Sequence, residues 1–132
     1  MSKIIPNNAF IVVADGHKAI VLRNVGSGGE VSLREVRRLT PKDLAADGPS
    51  GARPVEQSPR ETNEATFAKQ LAATLLKMHQ SKDFEALVLV ADPQTLGQLR
   101  GAMHKNVEAS VVFTLSKDLT NHSIGEITKA LE

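Results

Sequence analysis

The sequence predicts an α/β protein in which helices cover one five-stranded mixed sheet. Three observations predict this class. Short runs rich in β-branched residues come first, amphipathic segments at helical spacing come later, and the two kinds of segment alternate over the second half of the chain. With 132 residues, 41% of them hydrophobic and 23% charged, residues 1–132 are expected to form a single domain.

Three strands are expected in the first forty residues or so. Residues 9–14 are apolar throughout, as in a strand covered on both faces, and an Asp-Gly pair then turns the chain into a second strand at 17–24. After a glycine-rich turn at 26–29, residues 31–39 mix apolar residues with arginines. This mixture is typical of a half-exposed edge strand.

A long exposed loop is predicted at 40–61, where four prolines and two glycines interrupt any periodicity. Loops of this length are usually functional or disordered. Thr62 or Asn63 is then expected to cap a long helix. The apolar stripe of this helix consists of Phe67, Leu71, Leu75 and Met78.

Two further strand and helix pairs complete the pattern. A buried strand at 84–91 precedes Asp92, which suits an N-cap, and a strand at 109–115 precedes a last helix after Thr120. The order is β-β-β-α-β-α-β-α. Right-handed crossovers then give the strand order 3-2-1-4-5, which is the three-layer, ribonuclease H-like arrangement.

Composition excludes several classes of function. The net charge of +1 gives no overall attraction to nucleic acid or an anionic membrane, so such contacts need a local patch. The chain has no cysteine, and its four histidines lack the paired spacing of a zinc site, so we expect no metal site from these residues. No apolar run approaches the roughly 20 residues of a membrane span. We therefore expect a cytoplasmic protein with no membrane partner.

A site is expected at the carboxyl ends of the parallel strands, where open α/β sheets bind ligands. This edge would hold Asp15, Asp92 and residues 116–118. One hypothesis is a Mg²⁺- or Mn²⁺-dependent nuclease with Asp15, Glu64 and Asp92 as catalytic ligands. The structural interpretation is favoured: Asp15 lies in a turn, Asp92 and Asp118 cap helices, and Glu64 suits a first helical turn. No catalytic residue and no cofactor are then required.

Binding residues are expected in the edge strand, in the long loop and at the carboxyl edge. They are Arg37, Arg38, Arg53, Arg60, Lys117 and Asp118. The arginines suit contact with RNA phosphate. They suit equally an edge strand whose charge protects it from pairing.

Six segments resemble the bacterial host-attachment protein family. They are Phe10-Ile-Val-Val-Ala-Asp-Gly16, Lys18-Ala-Ile-Val-Leu22, Asn63-Glu-Ala-Thr-Phe-Ala68, Leu87-Val-Leu-Val-Ala91, Leu96-Gly-Gln-Leu-Arg100 and Ser116-Lys-Asp-Leu-Thr120. The resemblance covers almost the whole chain, and the Lys-Asp-Leu-Thr stretch is its most specific piece. That family is in turn similar to the middle domain of archaeal and eukaryotic peptide-chain release factors and of the ribosome-rescue protein Pelota.

This resemblance implies a binding module rather than an enzyme. In release factors, the loop after the third strand carries Gly-Gly-Gln, which triggers peptide release, whereas the present chain has no Gly-Gly-Gln. We expect a non-catalytic module that associates with the ribosome or a tRNA and acts indirectly in attachment to host cells. The alternatives are the nuclease and a homo-oligomer formed through the edge strand at 31–39.

Overall fold

The computed structural model describes residues 5–26, 31–40 and 59–131, with side chains from Thr66 onward in the helix that begins at residue 59. Five strands form one sheet of order β3-β2-β1-β4-β5. They are β1 (Phe10–Ala14), β2 (Ala19–Asn24), β3 (Leu33–Leu39), β4 (Leu87–Ala91) and β5 (Val111–Ser116). The β1–β2 and β2–β3 pairs are antiparallel, and the β1–β4 and β4–β5 pairs are parallel. The predicted fold class and strand order are confirmed.

Four helices lie in the described part of the chain. They are α1 (Pro59–Gln80), α2 (Pro93–Ala102), α3 (Lys105–Ala109) and α4 (Ile124–Leu131). The predicted order lacked α3, whose single buried residue is Val107. The His104 ring caps α3, because its Nδ1 accepts a hydrogen bond from the backbone N–H of Asn106 at 3.1 Å. No helix within the described ranges combines the length and apolar character that a membrane crossing requires.

Two cores lie on opposite faces of the sheet because side chains alternate along each strand. One core joins Phe10 and Val12 of β1 to Phe67 and Leu71 of α1. The other joins alternate residues of β1 and β4 to α4. It includes Ile11, Val13, Val88, Val90, Ile127 and Leu131. Every residue of β1 and β4 is buried, which makes this strand pair the centre of the three layers.

The long helix begins earlier than predicted. It starts at Pro59, so residues 59–61 belong to α1, and the predicted cap at Thr62 or Asn63 is wrong. Proline suits the first turn of a helix because the N–H groups there have no partner within the helix. The rest of the predicted loop, 41–58, and most of the glycine-rich turn, 27–29, lie outside the described residues.

Asn24, at the end of β2, forms side-chain hydrogen bonds to the segment before β1 and to both ends of the β2–β3 connection. Its side-chain Nδ2 donates to the carbonyls of Ile5 at 3.0 Å and Pro6 at 3.3 Å. Its Oδ1 accepts from the backbone N–H groups of Gly26 at 3.1 Å and Ser32 at 3.0 Å. The side chain is 1% exposed, so this carboxamide fixes the segment before β1 and both sides of the β2–β3 connection.

Candidate functional site

The carboxyl edge of the sheet begins at Asp15, which follows β1. Its Oδ1 accepts hydrogen bonds from the backbone N–H groups of His17 at 2.7 Å and Lys18 at 2.8 Å. Its own backbone N–H donates to the carbonyl of Lys18 at 2.9 Å, which closes the β1–β2 hairpin. Asp15 therefore has the turn-forming role that its position before Gly16 predicted.

Thr120 connects Asp15 to the segment after β5. Its hydroxyl Oγ1 lies 3.0 Å from Asp15 Oδ2 and 2.6 Å from Asp118 Oδ1. A hydroxyl has one hydrogen, so the two carboxylates share this donor. The threonine is 4% exposed. Asp15 and Asp118, which the strand order predicted to lie at one edge, are thus brought together by a residue that the sequence did not single out.

Hydrogen bonding keeps Asp118 ionised. The Thr120 hydroxyl is the largest cause of the lowered pKa of this carboxyl, and the Thr120 backbone N–H, Lys18 and His122 lower it further. Desolvation opposes them in part. Lys18 also donates from Nζ to Asn121 Oδ1 at 2.7 Å. The edge is therefore a cluster of charged and polar groups that bond to one another.

The cap predicted for the last helix is wrong. Asp118 bonds to Thr120, and α4 opens instead with a capping box of Ser123 and Glu126. The Ser123 backbone N–H donates to Glu126 Oε1 at 3.0 Å, and the Glu126 backbone N–H donates to Ser123 Oγ at 3.2 Å. The Ser123 backbone N–H is also the main reason that the pKa of Glu126 is lowered.

Asp92 lies at the end of β4 and caps α2, as predicted. Its Oδ2 accepts from the backbone N–H of Thr95 at 3.1 Å, and Pro93 occupies the first turn. Among the side chains that the structure describes, no three His, Asp or Glu residues form a group suited to a metal ion. The side chain of Glu64 lies outside that set. The nuclease hypothesis therefore stays a prediction, and the bonds of Asp15 and Asp92 favour their structural interpretation.

The predicted basic residues occupy two places in the structure. Arg37 and Arg38 lie exposed on β3, together with Arg34, and Lys117 lies exposed after β5. Arg38 Nε donates to Glu35 Oε1 at 2.8 Å, and both side chains are open to solvent. Exposed ion pairs of this kind contribute only about 0–1 kcal/mol, so another anion can replace Glu35 at little cost.

The remaining two basic residues lie in the 41–58 segment and at the start of α1. Arg53 lies outside the described residues, and Arg60 is described only as part of the backbone of α1. Most of the predicted basic residues whose side chains the structure describes therefore lie along the edge strand β3, with Arg34 and Arg37 on one face of the sheet and Arg38 on the other.

The sequence of this chain matches the model of a known protein family. The model of bacterial archaeo-eukaryotic release factor family 12 matches residues 8–131. No curated protein matches the chain. The matched range begins before β1 and includes the last residue of α4, so it covers the whole sheet and the helices on both of its faces.

Proposed function

This chain belongs to bacterial archaeo-eukaryotic release factor family 12, and from that membership we propose that it is a non-catalytic module that binds ribosomal or transfer RNA. The family match over residues 8–131 is the observation that carries the proposal. The sequence contains no Gly-Gly-Gln, the tripeptide that release factors use to trigger peptide release. We therefore propose that the protein associates with the translation machinery but does not trigger peptide release.

The RNA-binding surface in this proposal is the edge strand β3. Arg34, Arg37 and Arg38 are exposed along it, and among the strands that the structure describes β3 lies at the edge of the sheet, next to β2. Arginine binds phosphate well because its planar group offers several donors in a fixed fork. Arg53, Arg60 and Lys117 extend this surface in the proposal, on the basis of the sequence.

Self-association through β3 is a second candidate, because Val36 on this strand is 44% exposed. Residues 33–39 contain three arginines and one glutamate, so pairing two copies of β3 would bring two positively charged strands together. Like charges at opposed strand positions are destabilising. A polyanionic partner relieves that repulsion, so β3 favours RNA over a second copy of the chain.

An indirect role in attachment to host cells and a cytoplasmic location are the further parts of this proposal. Both rest on the sequence resemblance. A module that binds RNA in translation affects attachment through the set of proteins that the cell makes, so it requires no contact with the host.

Ribosome co-sedimentation tests the proposal. We compare the wild type with the triple variant Arg34→Gln/Arg37→Gln/Arg38→Gln across a range of salt concentrations. Each lost phosphate contact lowers the slope of log affinity against log salt by about 0.7–0.9, so three lost contacts lower it by about 2. A matched control, Lys69→Gln/Lys105→Gln/Lys129→Gln, removes three exposed positive charges from α1, α3 and α4.

We expect the wild type and the control to pellet with ribosomes at low salt and the arginine variant to stay in the supernatant. The variant Arg53→Ala/Arg60→Ala, measured in parallel, shows whether the surface extends beyond β3. Wild-type protein that never pellets at low salt would contradict the proposal. Equal losses in the arginine variant and the lysine control would show that overall charge, rather than β3, governs binding.

A further inference from the structure

A cleft of about 410 Å³ lies at the opposite edge of the sheet, where β1 and β4 begin. Its polar lining consists of Asn7, Asn8, Arg23, Lys82, Asp83 and Glu85. This volume falls within the range of roughly 300–1,000 Å³ that small-molecule sites occupy. None of these residues belongs to the carboxyl edge described above.

The Arg23 side chain packs on an aromatic ring, but its Nε has no hydrogen-bond acceptor among the described residues. Its guanidinium carbon lies 5.0 Å from the centre of the Phe10 ring, which in turn packs on Phe84 at 5.3 Å. Arg23 Nε is buried, and no described residue accepts a hydrogen bond from it. An unsatisfied buried donor is costly and usually marks a missing water, ion or ligand.

A second positively charged residue lies next to Arg23 in the sheet. In the β2–β3 ladder, Arg23 is the direct partner of Arg34. Opposed residues of antiparallel strands project on the same face, and opposed like charges destabilise the sheet. An anion bound at Arg23 would relieve this repulsion as well as satisfy Nε.

Lys82 adds a second cation at a position where glycine would be more stable. The chain after α1 forms a Schellman motif, in which the N–H groups of Asp83 and Lys82 donate to the carbonyls of Met78 at 2.9 Å and His79 at 3.0 Å. Lys82 takes the left-handed conformation of this motif, with φ 61°. Glycine adopts that conformation without steric cost, and lysine does not. Lysine at position 82 therefore places a charged side chain at the cleft, and the folded protein is less stable than it would be with glycine there.

We propose that this cleft binds a phosphate ester whose neighbouring groups are hydroxyls, as in a ribose phosphate. The phosphate oxygens would accept hydrogen bonds from Arg23 and Lys82. The hydroxyls would donate to the carboxylates of Asp83 and Glu85, and a ligand made of phosphate alone has no hydroxyls to make these contacts. The ligand is either a free sugar phosphate or a ribose phosphate of RNA, since both present the same chemistry. The site adjoins the RNA-binding surface on β3 at the Arg23–Arg34 pair, but its own ligand contacts come from Arg23, Lys82, Asp83 and Glu85.

Titration of ¹⁵N-labelled protein with ribose 5-phosphate tests the site, and the Arg23 Nε–H resonance is the direct readout. We expect a saturable shift of this resonance and of the amides of residues 82–86, with half-saturation on the order of 1 mM, at the weak end of non-covalent binding. Ribose alone and sodium chloride at matched ionic strength are the controls. The proposal is overturned if sodium chloride moves the same resonances equally.

Two variants test the named cations. Lys82→Gly removes the charge and relaxes the backbone, so it should raise the melting temperature while weakening ribose 5-phosphate about tenfold, as expected for one lost charge-assisted hydrogen bond. Arg23→Gln should abolish the saturable shift of residues 82–86. Lys129→Gln on α4 removes a matched charge and should bind as the wild type does. Wild-type affinity in both Lys82→Gly and Arg23→Gln would refute the site.

A competition arm separates the two sources of the ligand. A short RNA that displaces ribose 5-phosphate, and whose own shifts are lost in Arg23→Gln, supports a ribose phosphate of RNA as the ligand. An RNA that leaves the Arg23 resonance unchanged supports a free sugar phosphate. The β3 triple variant lacks Arg34, the ladder partner of Arg23, so both conclusions are drawn from proteins that keep Arg34. Loss of ribosome binding in the triple variant with an unchanged ribose 5-phosphate shift in the wild type distinguishes failure of one proposal from failure of the other.

Discussion

The two edges of the sheet use polar side chains in opposite ways. At the carboxyl edge, Asp15, Asp118 and Thr120 satisfy one another and the adjacent backbone. At the amino edge, Arg23 keeps a buried N–H for which no described residue is an acceptor. The difference teaches that polar residues at a sheet edge are not by themselves evidence of a site. Closed networks fix loops, whereas a buried donor with no acceptor among the described residues is a candidate contact for a ligand.

Asn24 lies at the amino edge too, but its side chain is fully hydrogen-bonded, unlike Arg23 Nε. Replacing Asn24 is expected to have the largest effect of the changes considered. Replacing Asn24 by Ala leaves the Ile5 carbonyl and the Gly26 N–H, whose bonds to Asn24 are buried, without this partner. It also removes the bonds to Ser32 and to the Pro6 carbonyl, which keeps the Ala9 N–H. We expect the free energy of unfolding to fall by about 3 kcal/mol, since each orphaned buried group costs about 1–3 kcal/mol and relaxation recovers part of the loss. The measurement is urea unfolding followed by circular dichroism, which suits a chain without Trp or Tyr.

The control for Asn24→Ala is Asn106→Ala, at an exposed position in α3. That change should alter the free energy of unfolding by less than about 0.5 kcal/mol. A similar small loss in Asn24→Ala would show that the segments around β2 hold their positions without the carboxamide.

Thr120→Val tests the closed network at the carboxyl edge with a side chain of nearly the same shape. It removes the donor shared by Asp15 and Asp118 and leaves two carboxylates near each other. We expect a loss of about 2 kcal/mol, because hydrogen bonds to charged groups contribute about 1.5–3 kcal/mol. Thr128→Val is the matched control, since the Thr128 hydroxyl donates to the Ile124 carbonyl within α4, at 2.8 Å, and not to a carboxylate. Equal losses in the two variants would contradict a special role for Thr120.

The smallest expected effect is on the pH dependence of stability. The pKa of Asp118 is lowered in the folded protein, chiefly by the Thr120 hydroxyl, so its contribution to stability is present above the unfolded value near 3.8 and is lost as pH falls through the folded pKa. Carboxyl ¹³C titration should show the pKa of Asp118 rising in Thr120→Val and unchanged in Thr128→Val. An unchanged pKa in Thr120→Val would mean that charge, rather than the hydroxyl, sets it.

Local patterns predicted most of the fold. The apolar runs of β1 and β4 and the Asp15-Gly16 turn identify their elements from neighbouring residues alone, and Asp92 with Pro93 predicts the start of α2. Helix α3 was missed because five residues are too few to show helical periodicity. The start of α1 is not evident from sequence because proline is typical both of loops and of the first turn of a helix, the position that Pro59 occupies.

The polar contacts were harder to predict because they join distant parts of the chain. Thr120 bonds to Asp15 across 105 positions, and the cleft brings Arg23 together with Lys82. No local pattern marks such a pair. The one available signal for Thr120 was its place in the Lys-Asp-Leu-Thr stretch that carried the family resemblance.

The central position of β1 has a consequence for how the chain folds during synthesis. Its parallel partner β4 starts only after residues 15–86, a separation of 72 residues. The β1–β2–β3 meander therefore emerges from the ribosome with the free edge of β1 and both apolar faces uncovered. Pairing across such distances is slow, and open strand edges favour aggregation while it proceeds. The face that carries Ile11 and Val13 stays uncovered longest, because it packs against α4, the last of the described helices to be made.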